Sequence, residues 1–451
     1  MNLLFVFADE LRAQAVACNA NRDVKTPVLD RLAAEGVVFD HAYSTTPVCT
    51  PVRGSLLTGC WPRTHGAATN DLPINHEGPT LARSLSAAGY RCGYVGKWHL
   101  GGLPRDRFTP PGPGRLGFDD FWASWECSHA YMNPRWHEDT PEVHAAPGRY
   151  EPEVQTDLAL GWLERLTAAR TAEPFCLFVS YGPPHEPYLP AAPGREDLYD
   201  PVGLTLPPNV PAELASAERA DLANYYGHTT AIDEQLGRLV GYLEDHDLVE
   251  DTLVVFSSDH GTMLGSHGLH GKQLPYEESI AIPLVMRGGP ALGPAGRRDQ
   301  LLIGMVDLAP TLLGLLGLSA DKRMQGRDLS GYVADPALPE RPSEVGLENA
   351  LVVDRSRSKD LRPWWGVRTD RYTYARHFEA PWLLFDNHAD PFQLVNLVDD
   401  PRLVELRAEL DTTVYRTFGR VGEPIAPEDE YAILCGVDQL WEEKKIAAGW
   451  Q

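Results

Sequence analysis

The residues of this chain best suited to chemistry are acids, imidazoles and cations placed just after short apolar runs. Asp9 and Glu10 close the run LLFVFA, and Lys97 and His99 follow YRCGYVG. His185 sits in GPPHEPY after FCLFVSY, while Asp259 and His260 follow TLVVFSS, with Lys272 further on. Each has a plain structural role when taken singly: an Asp-Glu pair caps helices, DHG is ordinary turn chemistry, and a lone histidine packs. Their shared placement points to function. Asp9, Glu10, Asp259 and His260 form a mainly hard-oxygen donor set with one imidazole, which suits Ca²⁺, Mn²⁺ or Mg²⁺ better than a thiolate-seeking metal. Arg53, Lys97 and Lys272 supply positive charge for the oxygens of a tetrahedral anion. The types together describe a site for moving a sulfuryl or phosphoryl group.

A second constellation is PVCTPVRGSLLTG, residues 47–59. Pro51 fits a first helical turn, Val52 to Thr58 continue it, and Gly59 stops it. Cys49 then faces the N–H-rich helix start, a place for an anion or a reactive group. An ordinary buried thiol is the plain alternative.

The elements that must position these residues alternate along the first two-thirds of the chain. Runs at 3–8, 90–96, 175–181 and 252–258 are apolar throughout, and helical patterns at 26–36, 79–89, 157–169 and 221–246 separate them. Such strands predict a large, mostly parallel sheet covered by helices on both faces. Ligands of such sheets bind beyond the carboxyl ends of the strands, where the groups above fall. Pro and charge cluster at 334–344, which sets expected domains at 1–340 and 345–451. The second is a smaller α+β unit with a short antiparallel sheet, followed by a helix at 401–418.

Composition narrows the function. A net charge of −23 over 451 residues argues against nonspecific nucleic-acid binding as the main task. No stretch has the length of a membrane span. The start MNLLFVFADE lacks the basic region and cleavage site of a signal peptide, so a cytoplasmic location is expected. Seven scattered cysteines argue against a disulfide framework. Oligomeric state leaves no trace. The segment 121–142, rich in Trp, Tyr and His, and the pair Trp364 and Trp365 are candidates for stacking on a substrate ring, with packed surface as the alternative.

CTPVRGSLLTG resembles the signature of the type I sulfatases of the alkaline phosphatase superfamily. FADE, TPVLDRLAAEGVVFDHAYS, GKWHLGG, PPHEPY and SSDHG follow in that family's order, over roughly residues 2 to 290. LLFDNHADPFQLVNL matches its C-terminal part more loosely. The resemblance implies that a formylglycine-generating enzyme oxidises Cys49 to formylglycine, whose hydrated aldehyde is the nucleophile. One hydroxyl attacks sulfur, and the other can rebuild the aldehyde and release sulfate. It further implies a metal on Asp9, Glu10, Asp259, His260 and the modified Cys49. Glu10 stands where the family usually has Asp, Gln or Asn. Arg53 would hold the modified residue, Lys97 would bridge it to sulfate, and His99 would assist deprotonation. His185 and Lys272 would contact sulfate and the leaving oxygen, and Asn70 the substrate. The implied activity is sulfate-ester hydrolysis, of a saccharide or small organic sulfate, with aryl sulfates as artificial substrates. A phosphonate monoester or phosphodiester hydrolase on the same site is the nearest rival, and a non-catalytic binding protein a more distant one.

Overall fold

The strand Asn2–Asp9 buries side chains on both of its faces. Leu3, Phe5 and Phe7 enter one core, while Leu4, Val6 and Ala8 enter another. Two cores on opposite faces explain why the strand is apolar throughout rather than alternating. The computed structural model describes residues 1–169, 173–353 and 361–448.

This strand is central in an eight-stranded sheet, ordered Arg297–Asp299, Val37–Phe39, Val285–Arg287, Thr252–Ser258, Asn2–Asp9, Phe175–Pro184, Arg91–Lys97 and Phe121–Trp125. Val285–Arg287 alone runs antiparallel to its neighbours. The four strands that carry chemistry at their ends are consecutive and parallel. Their carboxyl ends therefore share one edge, as the sequence predicts. One face is covered by helices Cys49–Thr58, Leu81–Ala87 and Met305–Leu315 through Val52, Leu81 and Leu308. The other is covered by Pro27–Glu35, Glu151–Ala169 and Ala215–Asp245 through Leu29, Trp162 and Ile232.

Beyond residue 343 the chain forms a four-stranded antiparallel sheet in sequence order, Glu344–Asn349, Trp364–Thr369, Tyr372–Arg376 and Pro381–Asp386. Helix Val404–Val421 packs on it through Leu410, Val414 and Phe418. The chain closes with helices Glu428–Leu434 and Asp438–Ala448. No helix among the described residues is long and apolar enough to cross a membrane.

The aromatic expectations change here. Trp364 and Trp365 are fully buried in the C-terminal part rather than available for stacking, because they sit on an inner strand of its sheet. Within 121–142, Trp122 joins a core cluster with Tyr94 and Trp98, and Trp125 stacks on His137. Only Cys127 and His129 of that segment line the cavity described next.

Candidate active site

Cys49 is the first residue of helix Cys49–Thr58, and Gly59 ends that helix in the left-handed conformation at φ +64°. Gly54 lets the ring of His65 pack against the helix, since a Cβ there would meet it at 2.7 Å. The helix thus holds Cys49 buried at the carboxyl edge of the sheet. Cys49 Sγ lies 3.2 Å from His260 Nε2 and 3.7 Å from Asp9 Oδ1. Donor atoms of Asp9, Cys49, Asp259 and His260 all lie within 4.8 Å of one another.

Arg53 and Lys97 offset part of the charge of these two buried carboxylates. Even so, burial and the neighbouring Asp9 push the Asp259 carboxyl above its ordinary range, and a cation held there would relieve it. The donor set of two carboxylates and one imidazole therefore fits a hard divalent ion. Glu10, expected among the ligands, is outside this group. Its backbone turns at φ +67°, its N–H donates to Asp259 Oδ1 (3.0 Å), and its longer carboxylate points elsewhere. Glu10 Oε2 lies 2.9 Å from His185 Nε2 and 2.8 Å from Lys272 Nζ.

Arg53 also departs from expectation. Its Nε donates to Asp259 Oδ2 (2.9 Å), Nη2 lies 2.8 Å from the same oxygen, and Nη1 donates to the Lys97 carbonyl (3.0 Å) and Ser180 Oγ (2.7 Å). It stacks over Phe7 and is 1% exposed, so its donors face the carboxylates and backbone below the cavity rather than an incoming anion. Lys97 ends its strand with Nζ paired to Asp9 Oδ2.

Above these residues opens a cavity of about 1340 Å³. Cys49, Lys97, His99, His185, Lys272 and Asn70 all line it, so the sequence-predicted catalytic and substrate residues other than Arg53 meet in one space. Asn70 Oδ1 accepts from the Thr50 N–H (3.0 Å), which caps the Cys49 helix from outside. Burial opposes ionisation of Cys49, but Lys272, Lys97 and His260 hold its thiol well below the usual range. Burial likewise opposes a charge on His185, yet Glu10 raises it to about 10, so it carries a proton at neutral pH. Its Nδ1 donates to the Glu186 carbonyl at 2.7 Å. The C-terminal sheet braces Lys272 from behind: Trp364 Nε1 donates to the carbonyl of Gln273 at 2.8 Å.

The cavity also holds residues that sequence reading missed. Asp71, Arg105, Arg107 and Lys444 line it, beside Cys127 and His129 from the segment 121–142 that the sequence does mark. Asp71 stands beside Asn70, its only signal in the sequence, and Lys444 comes from the last helix with no local signal at all. His129 stacks on His185 at 4.3 Å between ring centroids. A chain of net charge −23 therefore opens a cavity rimmed with cations, suited to an anionic substrate.

The Sulfatase family model matches residues 1–318, well over half of the chain. The chain belongs to the sulfatase family. A second model, N-sulphoglucosamine sulphohydrolase, C-terminal, matches residues 265–418 of this sulfatase. The Ulvan-active sulfatase of Formosa agariphila is 38% identical over 433 residues, covering 95% of this chain and 83% of that protein. Among solved structures, yidJ from Bacteroides fragilis superposes with a TM-score of 0.83 at 29% identity, covering 94% of this chain and 96% of its own. Phosphonate monoester hydrolase of Agrobacterium radiobacter shares the fold at a TM-score of 0.76 and 22% identity, covering 93% and 96%. The protein is thus a sulfuric ester hydrolase, nearer to sulfatases than to the phosphonate hydrolase.

Proposed function

We propose that this sulfatase cleaves the sulfate ester of a saccharide or small organic sulfate, using Cys49 converted to formylglycine by a formylglycine-generating enzyme. Asp9, Asp259 and His260 hold a divalent cation, Ca²⁺ first and Mn²⁺ or Mg²⁺ as alternatives. The observation that carries this reading is the position of Cys49. Its Sγ completes a buried group of metal-type donors and also faces the cavity lined by Lys97, His185 and Lys272.

The sulfur atom marks where the oxygens of an aldehyde hydrate would stand. That hydrate supplies both an attacking hydroxyl and, through its second hydroxyl, a route to release sulfate without water attacking the intermediate. When bound, the cation polarises the oxygens around sulfur and favours the ionised nucleophile. Lys97 and Lys272 face the sulfate oxygens and offset their charge. His185, protonated beside Glu10, and Lys272 stand together on the other side of the site. One of them gives its proton to the departing alcohol oxygen as the S–O bond breaks. His99 accepts a proton from the hydrate. Arg53 acts from below, fixing Asp259 and the backbone of Lys97.

A saccharide is favoured by the size of the cavity and by the imidazole of His129 on its wall, against which a ring can lie. The test compares aryl sulfate with aryl phosphodiester, for protein made with and without the modifying enzyme. Faster sulfate turnover that depends on the modifying enzyme supports the reading. A much faster diester reaction would replace it with the phosphonate or phosphodiester alternative.

A further inference from the structure

His99 is held in a way that its own strand does not explain. It lies two residues beyond the strand Arg91–Lys97, in the left-handed region at φ +58°, and is 3% exposed. Its Nε2 donates to Asp71 Oδ1 at 3.0 Å, while its Nδ1 is buried and has no protein partner. An imidazole whose one nitrogen is fixed by a carboxylate presents the other as an acceptor, the logic by which an acid orients a catalytic base.

Asp71 is tied to the Cys49 helix as well. Its N–H donates to Thr50 Oγ1 (3.3 Å), and that hydroxyl donates to the His99 carbonyl (2.9 Å). Thr50, the neighbour of Cys49, therefore knits Asp71 and His99 together. The carboxylate of Asp71 is fixed from two further sides. Arg105 grips both oxygens, Nε to Oδ1 at 2.8 Å and Nη2 to Oδ2 at 3.0 Å, and Lys444 Nζ reaches Oδ2 at 3.0 Å. Lys444 stands on the closing helix Asp438–Ala448, more than 370 residues along the chain from Asp71.

We propose that Asp71 is a positioning residue that orients His99 toward the nucleophile, and that the C-terminal helix holds Asp71 in place through Lys444. The inference rests on the proposed role of His99 as proton acceptor. It makes the last helix part of the active site of this sulfatase.

The test is steady-state kinetics on an aryl sulfate with metal-loaded, modified protein. Asp71→Asn keeps the shape and an acceptor oxygen but loses the charge that fixes the ring. It lowers kcat by about 10–100-fold with KM nearly unchanged. Asp71→Glu restores part of that loss. Lys444→Met, at a partly exposed side chain, lowers kcat by about two- to fivefold without moving Tm. In the Asp71→Asn background Lys444→Met has no further effect, because the two act through one carboxylate.

Wild-type kcat in Asp71→Asn, a loss confined to KM, or additive effects of the two substitutions would overturn the proposal. Should Asp71→Asn fail to fold, Lys444→Met alone decides, and unchanged kcat in it counts against the link. His99→Ala separates the two levels. If it abolishes turnover while Asp71→Asn is silent, the Asp71 proposal alone fails. If it leaves kcat intact, the reading of His99 fails with it.

Discussion

His185 Nε2 lies 2.7 Å from Lys272 Nζ, and Glu10 Oε2 sits within 2.9 Å of both. Two cationic groups so close would repel each other, and the carboxylate between them offsets that repulsion. Glu10 is thus placed to keep a proton donor charged. Glu10→Gln removes the offset, so His185 loses its proton at lower pH. The alkaline limb of kcat/KM therefore moves down by about one pH unit or more. A pH–rate profile of the two proteins checks this, and an unmoved limb in the variant would contradict it.

Arg53 carries its charge almost completely out of water, between Asp259 and the ring of Phe7. Removing one member of a buried pair leaves the other uncompensated. Arg53→Ala is expected to destabilise the fold by about 3–5 kcal/mol, whereas an exposed pair is worth far less. Arg53→Lys keeps the charge but not the fork that meets Asp259, Ser180 and the Lys97 carbonyl together, so it recovers only part of the loss. Urea unfolding of the three proteins measures the difference.

Asp9 and Asp259 face each other without water to screen them. Chelation is expected to lower Tm and abolish turnover, and added Ca²⁺ to restore both. Asp259→Asn relieves part of the repulsion, so its Tm responds less to chelation than that of the wild type. Calorimetry with and without chelator tests this; equal Tm values for the wild type would show that no cation is held there.

A second carboxylate pair lies far from chemistry. Glu348 and Glu423 are fully buried and share the hydroxyl of Tyr431. Burial raises the Glu423 carboxyl to about 7, and burial together with Glu423 raises Glu348. A carboxyl raised in the fold is neutral there while the unfolded chain already ionises. Its contribution is therefore intact below the unfolded value near 4.5 and is lost as pH rises through the folded value. Stability is expected to fall between pH 5 and 8 by this pair's share. Glu423→Gln flattens that slope and raises Tm at pH 8. A slope equal to that of the wild type would contradict the assignment.

Much of the site was legible because the strands are buried on both faces. Their unbroken apolar runs mark where each ends, and the polar residues after Ala8, Gly96, Tyr181 and Ser258 then fall on one edge. Cys49 was legible from Pro51 and Gly59, which bound its helix. What could not be read is direction and distance. Glu10 follows Asp9 in sequence, yet its positive φ sends its carboxylate to His185 and Lys272. Arg53 lies one turn from Cys49, yet it faces Asp259. Trp364 and Trp365 carry the composition of a binding surface, but their place on an inner strand buries them. Asp71 meets Lys444 only through tertiary folding, and no local pattern encodes such a meeting.

On the proposed reading, the thiol of Cys49 is a precursor rather than the nucleophile. The mass of the peptide spanning Cys49, measured on protein whose aryl sulfatase turnover is known, tests it most directly. The aldehyde form or its hydrate is expected, in a fraction that rises in proportion to turnover across preparations. A fully active preparation in which that peptide carries only the intact thiol would contradict it.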